Sequence, residues 1–169
     1  MTWQQKIGRI RELADGNMTV VLFAGLTPKG APAEFLDELR KRWPFLPDSY
    51  VTFLSVTDGA QFDLFVLFGS GRSPYPAIFP ENDRRERDER TSGIAIGEDA
   101  SGGEFVILPN GIIQILRSDP PEPPDTVAAN FDDLLDQVML GPRYHSFFGK
   151  ARKHTDWGDF LRKEGWAPS

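Results

Sequence analysis

Few residues of this chain could do chemistry, and most of them lie in short polar runs. Gly69-Ser70-Gly71-Arg72-Ser73 combines glycines, hydroxyls and a guanidinium, the ingredients of a backbone cradle for phosphate. It lacks the lysine and following helix of a P-loop, so it reads as a connecting loop, with small-ligand binding as the competing reading. Asp99-Ala100-Ser101-Gly102-Gly103-Glu104 has the acids and glycines of a calcium loop but too few ligand positions, so it reads as a turn. Asp132, Asp133 and Asp136 could supply acid–base carboxylates. The first two are adjacent and so point apart on a helix, and the three read as a solvated helix face.

The two histidines, His145 and His154, do not stand in the clustered spacing that metal ligation requires. His154 is close enough to Asp156 to share a hydrogen bond, but both histidines read as surface or packing residues. No serine sits in a G-x-S-x-G elbow. The absence of cysteine removes thiolate and disulfide chemistry and fits a reducing compartment. The expectation is a chain that is not an enzyme and that takes neither metal nor cofactor.

Charge points elsewhere. The formal net charge is −6. Residues 91–140 hold nine acids and one base, Arg117, while residues 141–169 are net basic. An acidic block of this size repels nucleic acid and membrane surfaces and steers a basic partner inward. Phe62, Phe65 and Phe68 have no basic neighbours, so they read as core rather than as a base-stacking platform. The N-terminal MTWQQKIGRIREL has no apolar signal core, and no run reaches the ~20 apolar residues of a membrane span. A cytoplasmic location is expected.

The elements that must position these residues follow from periodicity. Trp3, Ile7, Ile10 and Leu13 mark a first helix, 3–14. Met18 to Leu26 is a continuous apolar run rich in β-branched residues, predicting a buried strand. Phe35, Leu36, Leu39 and Trp43 form the stripe of a helix over 32–43. Leu46-Pro47 opens another helix with Tyr50, Phe53 and Leu54 on one face, closed by Asp58-Gly59. Phe62 to Phe68 reads as one central strand. Residues 69–92 are irregular, and the alternating charges of 81–90 read as a solvated loop or short helix.

Residues 93–116 hold three short apolar runs separated by glycine-rich turns, an antiparallel meander. Asn110-Gly111 carries the signal of a two-residue type I′ hairpin. Residues 119–125, DPPEPPD, read as a stiff spacer. Residues 126–140 read as a helix with Val127, Phe131, Leu134, Leu135 and Val138 on one face, and 156–164 as a last helix. The length fits a single domain, 1–169, with an aromatic-rich core.

The order of these pieces resembles the SMI1/KNR4 (SUKH) family over roughly residues 35–140. Three stretches carry the resemblance: Leu46-Pro47…Tyr50…Phe53-Leu54…Asp58-Gly59; Ile96-Gly97-Glu98-Asp99…Gly103-Glu104-Phe105; and Val127-Ala128-Ala129-Asn130-Phe131…Leu134-Leu135. The chain departs from the family pattern at Asp58 and Ala60, at Asn130 and at Leu134, and 141–169 lies beyond the resemblance as a helical extension. The resemblance implies an α+β fold with helices packed on a mostly antiparallel sheet. It implies a protein-binding role: bacterial members are mostly immunity proteins that neutralise toxins, and fungal members are regulatory interaction proteins. It implies no catalytic residue. Its matched positions, with Asn110 and Gly111, read as fold determinants. With the acidic block it points to a basic toxin domain as partner and to Glu98, Asp99, Asp119, Glu122 and Asp125 as the contact surface.

Overall fold

In the computed structural model, residues 1–84, 91–118, 120–147 and 155–168 are described. Seven strands form one open sheet in the order β1 to β7: Ala24–Leu26, Ala60–Phe62, Phe65–Leu67, Ile94–Glu98, Glu104–Ile107, Ile113–Leu116 and Asp125–Ala128. Every neighbouring pair is antiparallel: short turns join β2 to β3, β4 to β5 and β5 to β6, while α3 and α4 lie between β1 and β2 and α5 between β3 and β4. Helices α1 to α5 span Trp3–Leu13, Met18–Phe23, Ala33–Arg42, Asp48–Val56 and Ile78–Asp83. Helix α6, Phe131–Asp133, runs into a π-helix, Leu134–Met139, and is followed by α7, Tyr144–Phe147, and α8, Asp156–Lys163. The architecture is α+β with a largely antiparallel sheet, as the sequence predicts.

Pleating sends alternate side chains to opposite faces. One face carries Phe62, Phe65, Leu67, Phe105, Ile107 and Ile113, all fully buried beneath the helices. Tyr50 and Phe53 of α4 meet Phe131 of α6 edge to face, with ring centroids 5.0 and 5.4 Å apart. The C-terminal segment packs into the same core: Trp157 stacks on Phe62 at 6.2 Å, and Trp166 meets Phe160 at 5.6 Å. Buried residues from Trp3 to Ala167 form one apolar cluster.

Three predicted elements are corrected. Met18–Phe23 is a helix, not a strand, and only Ala24–Leu26 enters the sheet. Asn17 caps this helix by accepting from the Val20 N–H, a local signal that outweighs the β-branched run. The apolar stretch 62–68 is broken into a hairpin, because Asp63 adopts a left-handed φ of 53° and pairs Phe62 with Phe65. The helix read over 126–140 begins only at Phe131; Asp125–Ala128 is the outer strand β7, and Asn130 is the helix cap, accepting from the Asp133 N–H.

The Asn110 turn is a hairpin of a different type. Gly111 has φ 85°, but Asn110 is not left-handed. Gly111 donates to Leu108 O and Leu108 donates to Ile112 O, the pattern of a type I turn closed by a left-handed glycine bulge. Pro109 in the turn favours this form, since its ring excludes the positive φ of a primed turn. Gly59 is left-handed at φ 82°, but it stands beyond the Thr57 cap, in the turn into β2.

Candidate functional site

The acids singled out from the sequence separate into two kinds. Strand registers bring Glu98 on β4, Glu104 on β5, Leu116 on β6 and Asp125 on β7 to one end of the sheet, with the exposed Glu122 on the connection before β7. Glu98, Glu122 and Asp125 carry no ion pair among the described residues. Asp119 lies outside the described residues.

Asp99 is a correction. It is 6% exposed, and its carboxylate accepts from Ser101 N–H, Ser101 Oγ and Gly103 N–H at 2.7–2.9 Å. Arg117 closes the arrangement with an ion pair of 3.1 Å. A carboxylate with this many internal donors holds the β4–β5 turn in shape and is not offered to a partner. The sequence hinted at this: an Asx residue ahead of Ser-Gly-Gly is a turn former.

The Gly69–Ser73 loop already holds an anion, and it belongs to the protein. Asp58, 5% exposed, accepts from Ser70 N–H and Ser70 Oγ, both at 2.6 Å. A phosphate would have to displace this carboxylate to use the same donors. Arg72 faces outward and pairs with the equally exposed Glu34 at 3.4 Å.

The carboxylates of the helix after β7 are not solvated bystanders as expected. Asp132 accepts from the indole N–H of Trp3 at 2.6 Å. Asp133 pairs with Arg143 and accepts from Ala129 N–H. Asp136 pairs with Lys6 at 3.3 Å, and Lys6 also donates to the carbonyls of Asp136 and Leu140 at 3.0 and 2.9 Å. Lys6 is 5% exposed and was not singled out from the sequence, where it stands on the polar side of an amphipathic stripe. Burial lowers its pKa against the opposing pull of Asp136. The π-helical segment leaves carbonyls without ordinary helical donors, and the ammonium meets that need.

His145 contacts Arg162, and its ring lies against Gly158. His154 lies outside the described residues. Tyr144 OH donates to the buried Asp63 and contacts Thr155 Oγ1, the cap of α8, so this polar chain ties the C-terminal segment to the β2–β3 turn. Among the described residues no group of three or more His, Cys, Asp or Glu side chains could hold a metal ion. No described helix is long and apolar enough to cross a membrane.

A second surface had no sequence signal. Met18, Val21 and Leu22 of α2 are 70, 58 and 62% exposed. An exposed apolar group on a protein with a filled core is more informative than an exposed polar one. Helix α2 leads directly into β1, the sheet edge opposite β7.

No protein-family model matches this chain, and no curated protein matches it in sequence.

Proposed function

We propose that this chain is a non-catalytic protein-binding module of the immunity type, one that neutralises a basic toxin domain by stoichiometric occlusion. The observation that carries the reading is the division among its acids. The buried carboxylates Asp58, Asp63 and Asp99 are hydrogen-bonded within the fold, while Glu98, Glu122 and Asp125 stand at one end of the sheet with no ion pair among the described residues. A rigid sheet presenting unpaired negative charge speeds encounter with a basic partner and excludes wrong ones. A few desolvated contacts would set the lifetime of the complex.

The test is co-expression with a toxin encoded beside this chain's gene. Rescue of growth that is lost on reversing charge at Glu98, Glu122 and Asp125 supports the reading. Rescue that survives all three reversals overturns this surface. Asp99 is left intact in the experiment because its reversal would unfold the turn.

A second reading is a regulatory scaffold without a toxin partner. The apolar face of α2 favours it, because that face lies at the opposite sheet edge from Asp125 and offers a separate contact. A gene neighbourhood without a toxin, together with loss of a cellular partner in Leu22→Glu, would select it. A cytoplasmic location accords with either reading.

A further inference from the structure

Strand β1 is an outer edge of the sheet, and its backbone groups are not all spent. Phe23 accepts from Asp63 N–H. The alternation of an antiparallel pair therefore turns Gly25 toward β2 and leaves the Leu26 N–H and the carbonyls of Ala24 and Leu26 pointing outward. None of these three groups has a hydrogen-bond partner among the described residues. Ala24 N–H is already used, donating to Val20 O at the end of α2. Ala24, Gly25 and Leu26 are all partly exposed. An open edge of this kind is a template for a further strand.

A recess of about 270 Å³ lies between α1 and β1, lined by Ile10, Ala14, Ala24, Leu26 and Pro28, with Arg11 beside them. Arg11 Nη2 donates to Thr27 O at 3.1 Å and to Val56 O at 2.8 Å, which fixes the guanidinium at the end of β1. Its Nε and Nη1 have no partner among the described residues. Among those residues neither Arg11 nor Lys29 has an ion pair: Glu12 is turned to Arg9, and Asp15 pairs with neither.

We propose that the free edge of β1 takes an extended segment of a protein partner as an eighth strand, with an apolar side chain of that segment in the recess and a carboxylate against Arg11. Main-chain bonds to Leu26 and Ala24 set the register. The incoming residue opposite Leu26 shares its sheet face, so its side chain meets the recess. The cations at the Thr27 end select an acidic flank, because a guanidinium with free donors pairs with a carboxylate. This edge is opposite β7, and the inference does not rest on the basic-partner reading.

The probe is a blocked heptapeptide of alternating threonine and leucine closed by two glutamates, titrated into the isotopically labelled full chain and followed by amide NMR. A version closed by two lysines and a version N-methylated at alternate residues run in parallel. Saturable shifts at Arg11, Ala24, Gly25 and Leu26 are expected with the first, weaker with the second and absent with the third. Arg11→Gln weakens the glutamate peptide about fivefold and leaves the lysine peptide unchanged, while Arg11→Lys restores most of the loss. Ala14→Phe, at an exposed position, fills the recess and weakens both peptides. Melting temperatures of the three variants separate lost binding from lost folding. Equal binding by the N-methylated peptide would overturn strand addition. No saturable shift at β1, or the same amides shifting with protein concentration alone as a second copy takes the edge, would overturn the proposal.

Discussion

The ammonium of Lys6 lies 3.3 Å from the carboxylate of Asp136 and also donates to that residue's own carbonyl. One side chain of α1 thus serves both the charge and the backbone of the π-helical turn, 130 residues away in sequence. Trp3, a turn earlier, repeats the stitch by donating to Asp132. The N-terminal helix is therefore fastened to the segment after β7 by polar contacts within an apolar interface. Such contacts specify one arrangement because any other leaves a buried group unpaired.

Lys6→Met removes the ammonium while keeping the bulk. It leaves Asp136 and two carbonyls without their donor and should cost about 3 kcal/mol. Urea unfolding at neutral pH checks this, and a loss below a few tenths of that would show that the contact is not fastening the helix.

The pH dependence of the same pair has a defined sign. The folded-state pKa of Lys6 lies below its ordinary 10.5, so in the alkaline window between the two the unfolded chain binds more protons. Stability due to this group therefore rises with pH through that window. The difference in unfolding free energy between wild type and Lys6→Met should move in favour of the wild type as pH climbs toward 10.5. A shift in the opposite direction would contradict the burial argument.

Tyr50 is fully buried, and its hydroxyl has no hydrogen-bond partner among the described residues. Burial pushes its ionisation far above the usual phenol range. Tyr50→Phe keeps the edge-to-face contact with Phe131 and removes an unsatisfied group, so it should be neutral or stabilise by about 1 kcal/mol. Thermal unfolding tests it; a loss of that size would mean the hydroxyl has a partner.

The acids of the sheet end should divide by thermodynamics as they do by geometry. Asp99→Asn strips charge from four donors and should destabilise by about 2 kcal/mol. Glu122→Gln and Asp125→Asn should each stay within about 0.5 kcal/mol of wild type. Chemical denaturation of the three variants decides; equal effects would erase the distinction between structural and presented carboxylates.

Leu22→Glu tests the helical assignment of 18–23. A charge in a buried strand would prevent folding, whereas on an exposed helix face it should change stability by no more than about 0.5 kcal/mol. Retained circular dichroism and an unchanged melting temperature are expected.

Several features were legible because their causes are local. The stripe Phe35, Leu36, Leu39 places α3, and Pro47 with Tyr50, Phe53 and Leu54 places α4. The glycine-rich connections of 93–116 set out β4, β5 and β6 in their true order. Other features were misread where two local signals competed. The β-branched residues of Met18–Phe23 favoured a strand, and the Asn17 cap with the tertiary setting favoured a helix. In 62–68, continuous apolarity concealed a turn because both flanking phenylalanines point into the same core.

By itself the sequence determined an α+β chain with an antiparallel meander, an aromatic core and a concentration of negative charge in 91–140. Periodicity, turn residues and composition act over a few neighbours and survive in any context. Only the tertiary structure decided which acids are spent and which are presented. Asp63 meets Tyr144 across 81 residues, and Asp136 meets Lys6 across 130. The fate of a carboxylate depends on the donors that folding brings to it and on the water that folding removes, and neither is a property of its neighbours in the chain.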